Sequence, residues 1–341
     1  METLQTALTV PPFRPRRGLR GGHIQTLASY FLARHFHLAP AEERLVEVEP
    51  AISVLCHCHW QPEGKQAALT VIIVHGLEGS SESEYMLGIA EKGLAAGMNV
   101  VRVNQRNCGG TDHMAPTLYN SSLSNDLVAV ATNLMEQDHI TRFALAGFSM
   151  GGNLALKAAG EWGSRASSSH ALANHDPEQF RGVAVVCPSL DLAASADALH
   201  ERGNRLYEKY FLWKLDRRFR AKARLFPDAF DPSRLQGIKS LREFDDKITA
   251  FYCGFHGASD YYARAGAANV VDKIGVPAFI LHAASDPFIR ITPETRRKIA
   301  ANPNILFVET EDGGHCSFLA DPKGYDGHWA ELAVIDFLSR L

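Results

Sequence analysis

Along most of the chain, short unbroken apolar runs alternate with longer stretches of helical composition. LTVIIVHG (69–76), MNVVRVN (98–104), FALAG (143–147), GVAVVCP (182–188), PAFILHAAS (277–285) and ILFVET (305–310) lack inside–outside alternation. Such runs read as strands buried on both faces. Between them lie the helical stretches Glu84 to Ala96, SLSNDLVAVATNLMEQ (122–137), GGNLALKAAG (151–160) and the closing GHWAELAVIDFLSRL (327–341). RLVEVEP (44–50) and ISVLCHCHW (52–60) do alternate, and read as an antiparallel strand pair. The pattern predicts an α/β fold: a mostly parallel, eight-stranded sheet with helices on both faces.

The rhythm fails in two places. Residues 1–45 form a basic, Pro- and Gly-rich leader with a helix-like piece, IQTLASYFLARHF (24–36), expected to pack on the core. Residues 193–270 are rich in aromatic and basic residues and read as a helical cap inserted into a core made of 46–192 and 271–341. An insertion there lies over the carboxyl end of the sheet, where α/β folds bind ligands. Its segment RGNRLYEKYFLWKLDRRFRAKARLF (202–226) is a basic amphipathic helix. It either covers the pocket with its Lys and Arg in solvent, or rests weakly on an anionic membrane surface. RASSSHALANH (165–175) reads as a surface loop.

Composition narrows the function classes. The 341 residues are 46% hydrophobic and 21% charged with a net charge of -3, which excludes the basic balance of a nucleic-acid binder. No run is long enough to be a membrane-spanning helix, and no secretory signal opens the chain. Six scattered cysteines fit a reducing compartment, so a cytoplasmic location is expected. CHCHW (56–60) has no second Cys/His pair at zinc-finger spacing and reads as part of a strand.

One motif carries chemistry. Gly147-Phe148-Ser149-Met150-Gly151 is G-x-S-x-G between a buried strand and a helix, the context of a nucleophile elbow. The turn lifts Ser149 above the sheet and demands small neighbours. A serine hydroxyl needs a base, and the base an orienting acid; in this architecture the chain order is Ser, then Asp or Glu, then His. Asp286 follows the strand PAFILHAAS, and His315 stands in EDGGHCSF, beyond the last strand and before the last helix. Asp191 in CPSLDL is the second candidate acid, and Asp260 in the insertion a weaker one. Oxyanion donors are expected from the backbone N–H groups of Met150 and Leu77, the latter within HGLEGSS.

With these residues assembled, the chain resembles an α/β-hydrolase, and more narrowly the YheT-like family related to the abhydrolase-3 and EMB8 groups. The resemblance rests on GGHIQTL (21–27), HGLEGSSES (75–83), VRVNQRNCGG (101–110), GFSMGGN (147–153), ASDPFI (284–289) and GGHCSF (313–318). It implies a Ser149–Asp286–His315 triad, with members described as esterases, phospholipases or alcohol acyltransferases. The expected activity is hydrolysis of short- to medium-chain carboxylic esters through an acyl-enzyme, without metal or organic cofactor. Acyl transfer to an alcohol and a non-catalytic binding role are the alternatives. The expected partner is a small-molecule ester; oligomeric state has no signature. The leader motif GGHIQTL, with His23 and Gln25, either packs against the core or contributes to the site.

Overall fold

A computed structural model describes residues 8–163 and 177–341. The stretch 165–175, expected to be a surface loop, lies outside the described residues. The strands are β1 (Glu42–Glu49), β2 (Ile52–His59), β3 (Thr70–Val74), β4 (Asn99–Val103), β5 (Phe143–Phe148), β6 (Phe180–Val186), β7 (Ala278–Ala283) and β8 (Ile305–Thr310). They form one sheet in the order β1-β2-β4-β3-β5-β6-β7-β8. β2 runs antiparallel to both its neighbours, and the remaining pairs are parallel. The α/β-hydrolase fold read from the sequence is the fold observed.

The helices are α1 (Gly22–Phe31), α2 (Glu84–Ala95), α3 (Ser124–Asp138), α4 (Met150–Gly163), α5 (Leu192–Leu199), α6 (Arg205–Leu225), the single-turn α7 (Leu241–Phe244), α8 (Ala258–Ala265), α9 (Pro293–Ala301) and α10 (Trp329–Leu338). β3 shows why its run has no polar face. Val71 and Ile73 pack with Ile89 of α2 and Val334 of α10, while Ile72 and Val74 pack with Leu134 of α3 and Leu154 of α4. Burying each such side chain stabilises the fold by about 1.5–3 kcal/mol. At the sheet's edge β1 buries Val46 between exposed neighbours and sets it opposite Val54 of β2. β2 sends Cys56 and Cys58 into the core; His57 pairs with Glu82, and His59 meets Arg102. The two cysteines and two histidines of CHCHW therefore do not converge on one point.

Between β6 and β7 the described chain forms α5 to α8 and no strand. Leu215, Phe219, Phe244 and Ile248 pack there with Phe288 and Ile289, from the loop after β7. α6 departs from its expected polarity. Lys209, Arg217 and Arg224 are exposed, but Lys222 is buried, donating to Asn107 Oδ1 (2.7 Å) and to the carbonyls of Asp112 and Ala115. Burial pulls its pKa down to about 8. Arg218 pairs with Glu78 at 2.9 Å and donates to Asn107 O. The inner cations thus tie α6 to the loops after β3 and β4. The leader helix is shorter than expected: α1 starts at Gly22 and stops at Phe31, where Leu32 turns to extended backbone.

Candidate active site

The turn from β5 to α4 has the strain the motif predicts. Ser149 sits in the left-handed region at φ 54°, a conformation sparsely populated by residues other than glycine. Its N–H donates to Val186 O (3.0 Å), and its carbonyl accepts from Asn153 and Ser189. A Cβ on Gly147 would collide with the Gly151 carbonyl, and one on Gly151 with the Val74 carbonyl. Both glycines are therefore required by close backbone approach.

Two loops at the same end of the sheet meet this serine. His315 Nε2 lies 3.0 Å from Ser149 Oγ, and His315 Nδ1 lies 2.9 Å from Asp286 Oδ2. The other carboxylate oxygen of Asp286 accepts the N–H groups of Phe288 (3.0 Å) and Ile289 (2.9 Å). Burial would raise the Asp286 pKa, but His315 and these two donors outweigh it and hold the carboxyl below its usual range. For His315, burial is outweighed by Cys316 and Asp286, so the imidazole keeps its proton above the ordinary histidine range. The structure thus joins Ser149, Asp286 and His315 in one hydrogen-bonded line.

The rival acids are spent elsewhere. Asp191 accepts from Thr292 N (2.9 Å) and Thr295 Oγ1 (2.8 Å), bracing the start of α9. Asp260 accepts from His256 N and pairs with Arg264 within its own turn of helix.

Leu77 and Met150 both border the space beside Ser149. Met150 opens α4, so its N–H is among the donors a helix start leaves without an intrahelical acceptor. Among the described residues nothing accepts from the Leu77 N–H, whereas the next one, Glu78 N–H, is taken by Tyr119 Oη. Ser149 lies between two openings. On one side is a cavity of about 120 Å³ beneath α5–α8, walled by Leu77, Leu199, Leu215, Phe219 and Phe244. On the other is a larger groove of about 660 Å³ whose walls include His315, Cys316, Tyr85, Tyr210, Lys214 and Arg34.

The leader reaches this site by contacts that sequence reasoning left undecided. Thr26 Oγ1 accepts the His315 N–H (2.8 Å) and donates to Gly22 O (2.7 Å). Gln25 is fully buried, accepting from Leu319 N (2.7 Å) while its own carbonyl accepts from Ser317 Oγ (2.8 Å). A Cβ on Gly22 would strike the Ser285 carbonyl, next to Asp286. His23 instead stacks on Tyr207 of α6, with ring centroids 5.7 Å apart. GGHIQTL therefore packs against the core and, in doing so, fixes the acid and imidazole loops. The signal was the motif itself; its partners lie nearly 300 residues away in the chain and cannot be read locally.

Comparison with known proteins bears on the family and the fold. Residues 71–326 match the model of the alpha/beta hydrolase family. YheT of Escherichia coli (strain K12), named for an expected esterase activity, is 27% identical over 331 residues, covering 96% of this chain and 93% of that protein. The embryogenesis-associated protein EMB8 of Picea glauca is 23% identical, covering 97% of this chain and 72% of its own length. The phospholipase ABHD3 of Mus musculus is 29% identical over 73% of this chain and 58% of that protein. Among solved structures, the Pyrococcus furiosus esterase Pf2001 superposes with a TM-score of 0.56 at 16% identity, covering 89% of this chain and 93% of that one. With the family model matched over residues 71–326 and YheT aligned nearly end to end, the chain belongs to the α/β-hydrolase family, in its YheT-like, abhydrolase-related group.

Proposed function

We propose that the protein is a serine carboxylesterase acting on short- to medium-chain acyl esters. The observation that carries this reading is the unbroken line from Ser149 Oγ through His315 to Asp286, set between an apolar cavity and a larger groove. Ser149 attacks the acyl carbonyl as His315 Nε2 takes its proton, and Asp286 holds the imidazole tautomer and stabilises the imidazolium. The Leu77 and Met150 N–H groups receive the oxyanion. His315 then returns the proton to the departing alcohol, which leaves through the groove, and activates the water that releases the acid.

Residues 193–270 act as a cap whose inner face takes the acyl tail. The cavity is small beside the roughly 300–1,000 Å³ of drug-sized ligand pockets, which favours the shorter chains. Its walls are mainly apolar, which disfavours a charged acyl group. No described helix is long and apolar enough to cross a membrane. All six cysteines are free, in keeping with the proposed cytoplasmic location.

A fluorophosphonate probe tests the assignment directly. The expected outcome is one label per chain, on the peptide containing Ser149, together with hydrolysis of p-nitrophenyl esters that declines as the acyl chain lengthens. A folded protein that takes no label would overturn the catalytic reading and favour a binding role. Adding an alcohol to the assay and measuring new ester against free acid separates hydrolysis from acyl transfer.

Thr26 offers a second test. Thr26→Val removes the acceptor for the His315 N–H; the expected result is a fall in kcat of about tenfold with KM nearly unchanged. The accompanying loss of stability is about 1 kcal/mol, that of one hydrogen bond. Thr26→Ser restores kcat, since the acceptor oxygen returns. Equal changes in kcat and KM, or no rescue by serine, would show that the contact does not position the imidazole.

A further inference from the structure

His315 has two neighbours that ester hydrolysis does not use. Cys187 follows β6, Cys316 follows His315, and Cys187 Sγ, Cys316 Sγ and a ring nitrogen of His315 lie within 4.8 Å of one another. Both cysteines hold left-handed backbone conformations, φ 44° and φ 57°. Their thiols now donate only weakly, Cys187 to Gly314 O (3.7 Å) and Cys316 to Val186 O (3.6 Å).

We propose that this trio is an inhibitory site for a soft divalent cation, with Zn²⁺ as the probe, in which the metal takes the nitrogen that Ser149 needs. Two thiolates and one imidazole are a donor set zinc prefers. At bond lengths of about 2.3 Å to sulfur and 2.0–2.1 Å to nitrogen, tetrahedral ligand atoms stand roughly 3.4–3.8 Å apart. Cys316 Sγ and His315 Nε2 are already 3.8 Å apart. His315 Nδ1 remains hydrogen-bonded to Asp286, which supplies the carboxylate–histidine–metal arrangement that orients a ligating imidazole. Binding forms two Zn–S bonds and one Zn–N bond and releases to solvent the two thiol protons, together with the Nε2 proton of the imidazolium form, without redox change. Ser149 Oγ, 3.0 Å from the same nitrogen, or a water completes the fourth position. The ion enters by the groove, whose wall includes His315 and Cys316. A second trio, Cys187, His282 and Asp286, shares one thiol but is buried throughout.

Inhibition rests on the proposed hydrolase reading; metal binding does not, so the two are measured separately. Chelator-stripped full-length protein is titrated with Co²⁺ and followed for thiolate-to-cobalt charge-transfer absorbance, then assayed for p-nitrophenyl ester hydrolysis against Zn²⁺ with reversal by EDTA. One cobalt per chain with a thiolate band is expected, and so is full, reversible inhibition. Cys187→Ala should keep the metal-free activity; it and Cys316→Ala, each assayed against its own metal-free rate, should lose the band and need at least about tenfold more Zn²⁺ for the same fractional inhibition. The proposal is overturned if no thiolate band forms, if both variants are inhibited like the parent, or if Cys187→Ala alone abolishes binding, which would assign the metal to the buried trio. A normal cobalt band in a protein with no esterase activity would sink the hydrolase reading and leave the metal site standing.

Discussion

Ser149→Ala is expected to leave a folded protein whose ester hydrolysis is lower by about 10⁶-fold, the loss typical when a serine hydrolase is deprived of its nucleophile. Only Oγ is removed, and its hydrogen-bond partner is His315, which still holds Asp286 through Nδ1. The backbone contacts of the turn, Ser149 N to Val186 O and Asn153 N to Ser149 O, persist. Stability should therefore change by no more than about 1 kcal/mol. Far-ultraviolet circular dichroism and a melting curve confirm that the variant is intact, and fluorophosphonate labelling disappears with the activity. Hydrolysis within tenfold of the parent, in a protein that melts normally, would remove Ser149 from the chemistry.

Much of this architecture was legible because buried parallel strands leave an unmistakable trace. TVIIV has no polar face since helices cover both sides of β3, and FALAG followed by Phe-Ser-Met-Gly-Gly announces a turn that tolerates no Cβ at positions 147 and 151. The order of Ser149, Asp286 and His315 along the chain was legible for a related reason: each follows the carboxyl end of a strand, and those ends share one side of the sheet. Asp191 also follows such an end. What separates it from Asp286 is that Thr292 and Thr295 claim its oxygens, a fact of tertiary packing with no local signature. Lys222 departs from the helix pattern for a similar reason. A basic stripe on an amphipathic helix reads as solvated, and nothing in α6 reveals that the loop after β4 offers three acceptors to one of its lysines. The leader's hold on His315, through Thr26, joins the two ends of the chain and is invisible to periodicity.

The acid's role is tested by Asp286→Asn, set against Asp191→Asn. In the parent, Asp286 Oδ1 accepts two backbone N–H groups while Oδ2 accepts the His315 Nδ1–H. An asparagine keeps the backbone donors by turning its carbonyl to them, which aims its NH₂ at Nδ1. The imidazole must then present a lone pair at Nδ1 and carry its proton on Nε2, the atom that has to accept from Ser149. The expected fall in kcat is about 10⁴-fold, with KM little altered. The pH profile supplies a second sign. The Asp286 charge raises the His315 pKa, so its removal lets the imidazole lose its proton at lower pH. Measured with a chelator present, the acid limb of kcat/KM for the residual activity should therefore move to lower pH. Asp191→Asn breaks contacts to Thr292 and Thr295 and is expected to lower the melting temperature with kcat within a few-fold of the parent. If Asp191→Asn were the variant to lose 10⁴-fold in kcat and Asp286→Asn merely melted earlier, the acid would have to be reassigned, because an imidazole has a single Nδ1 to be held.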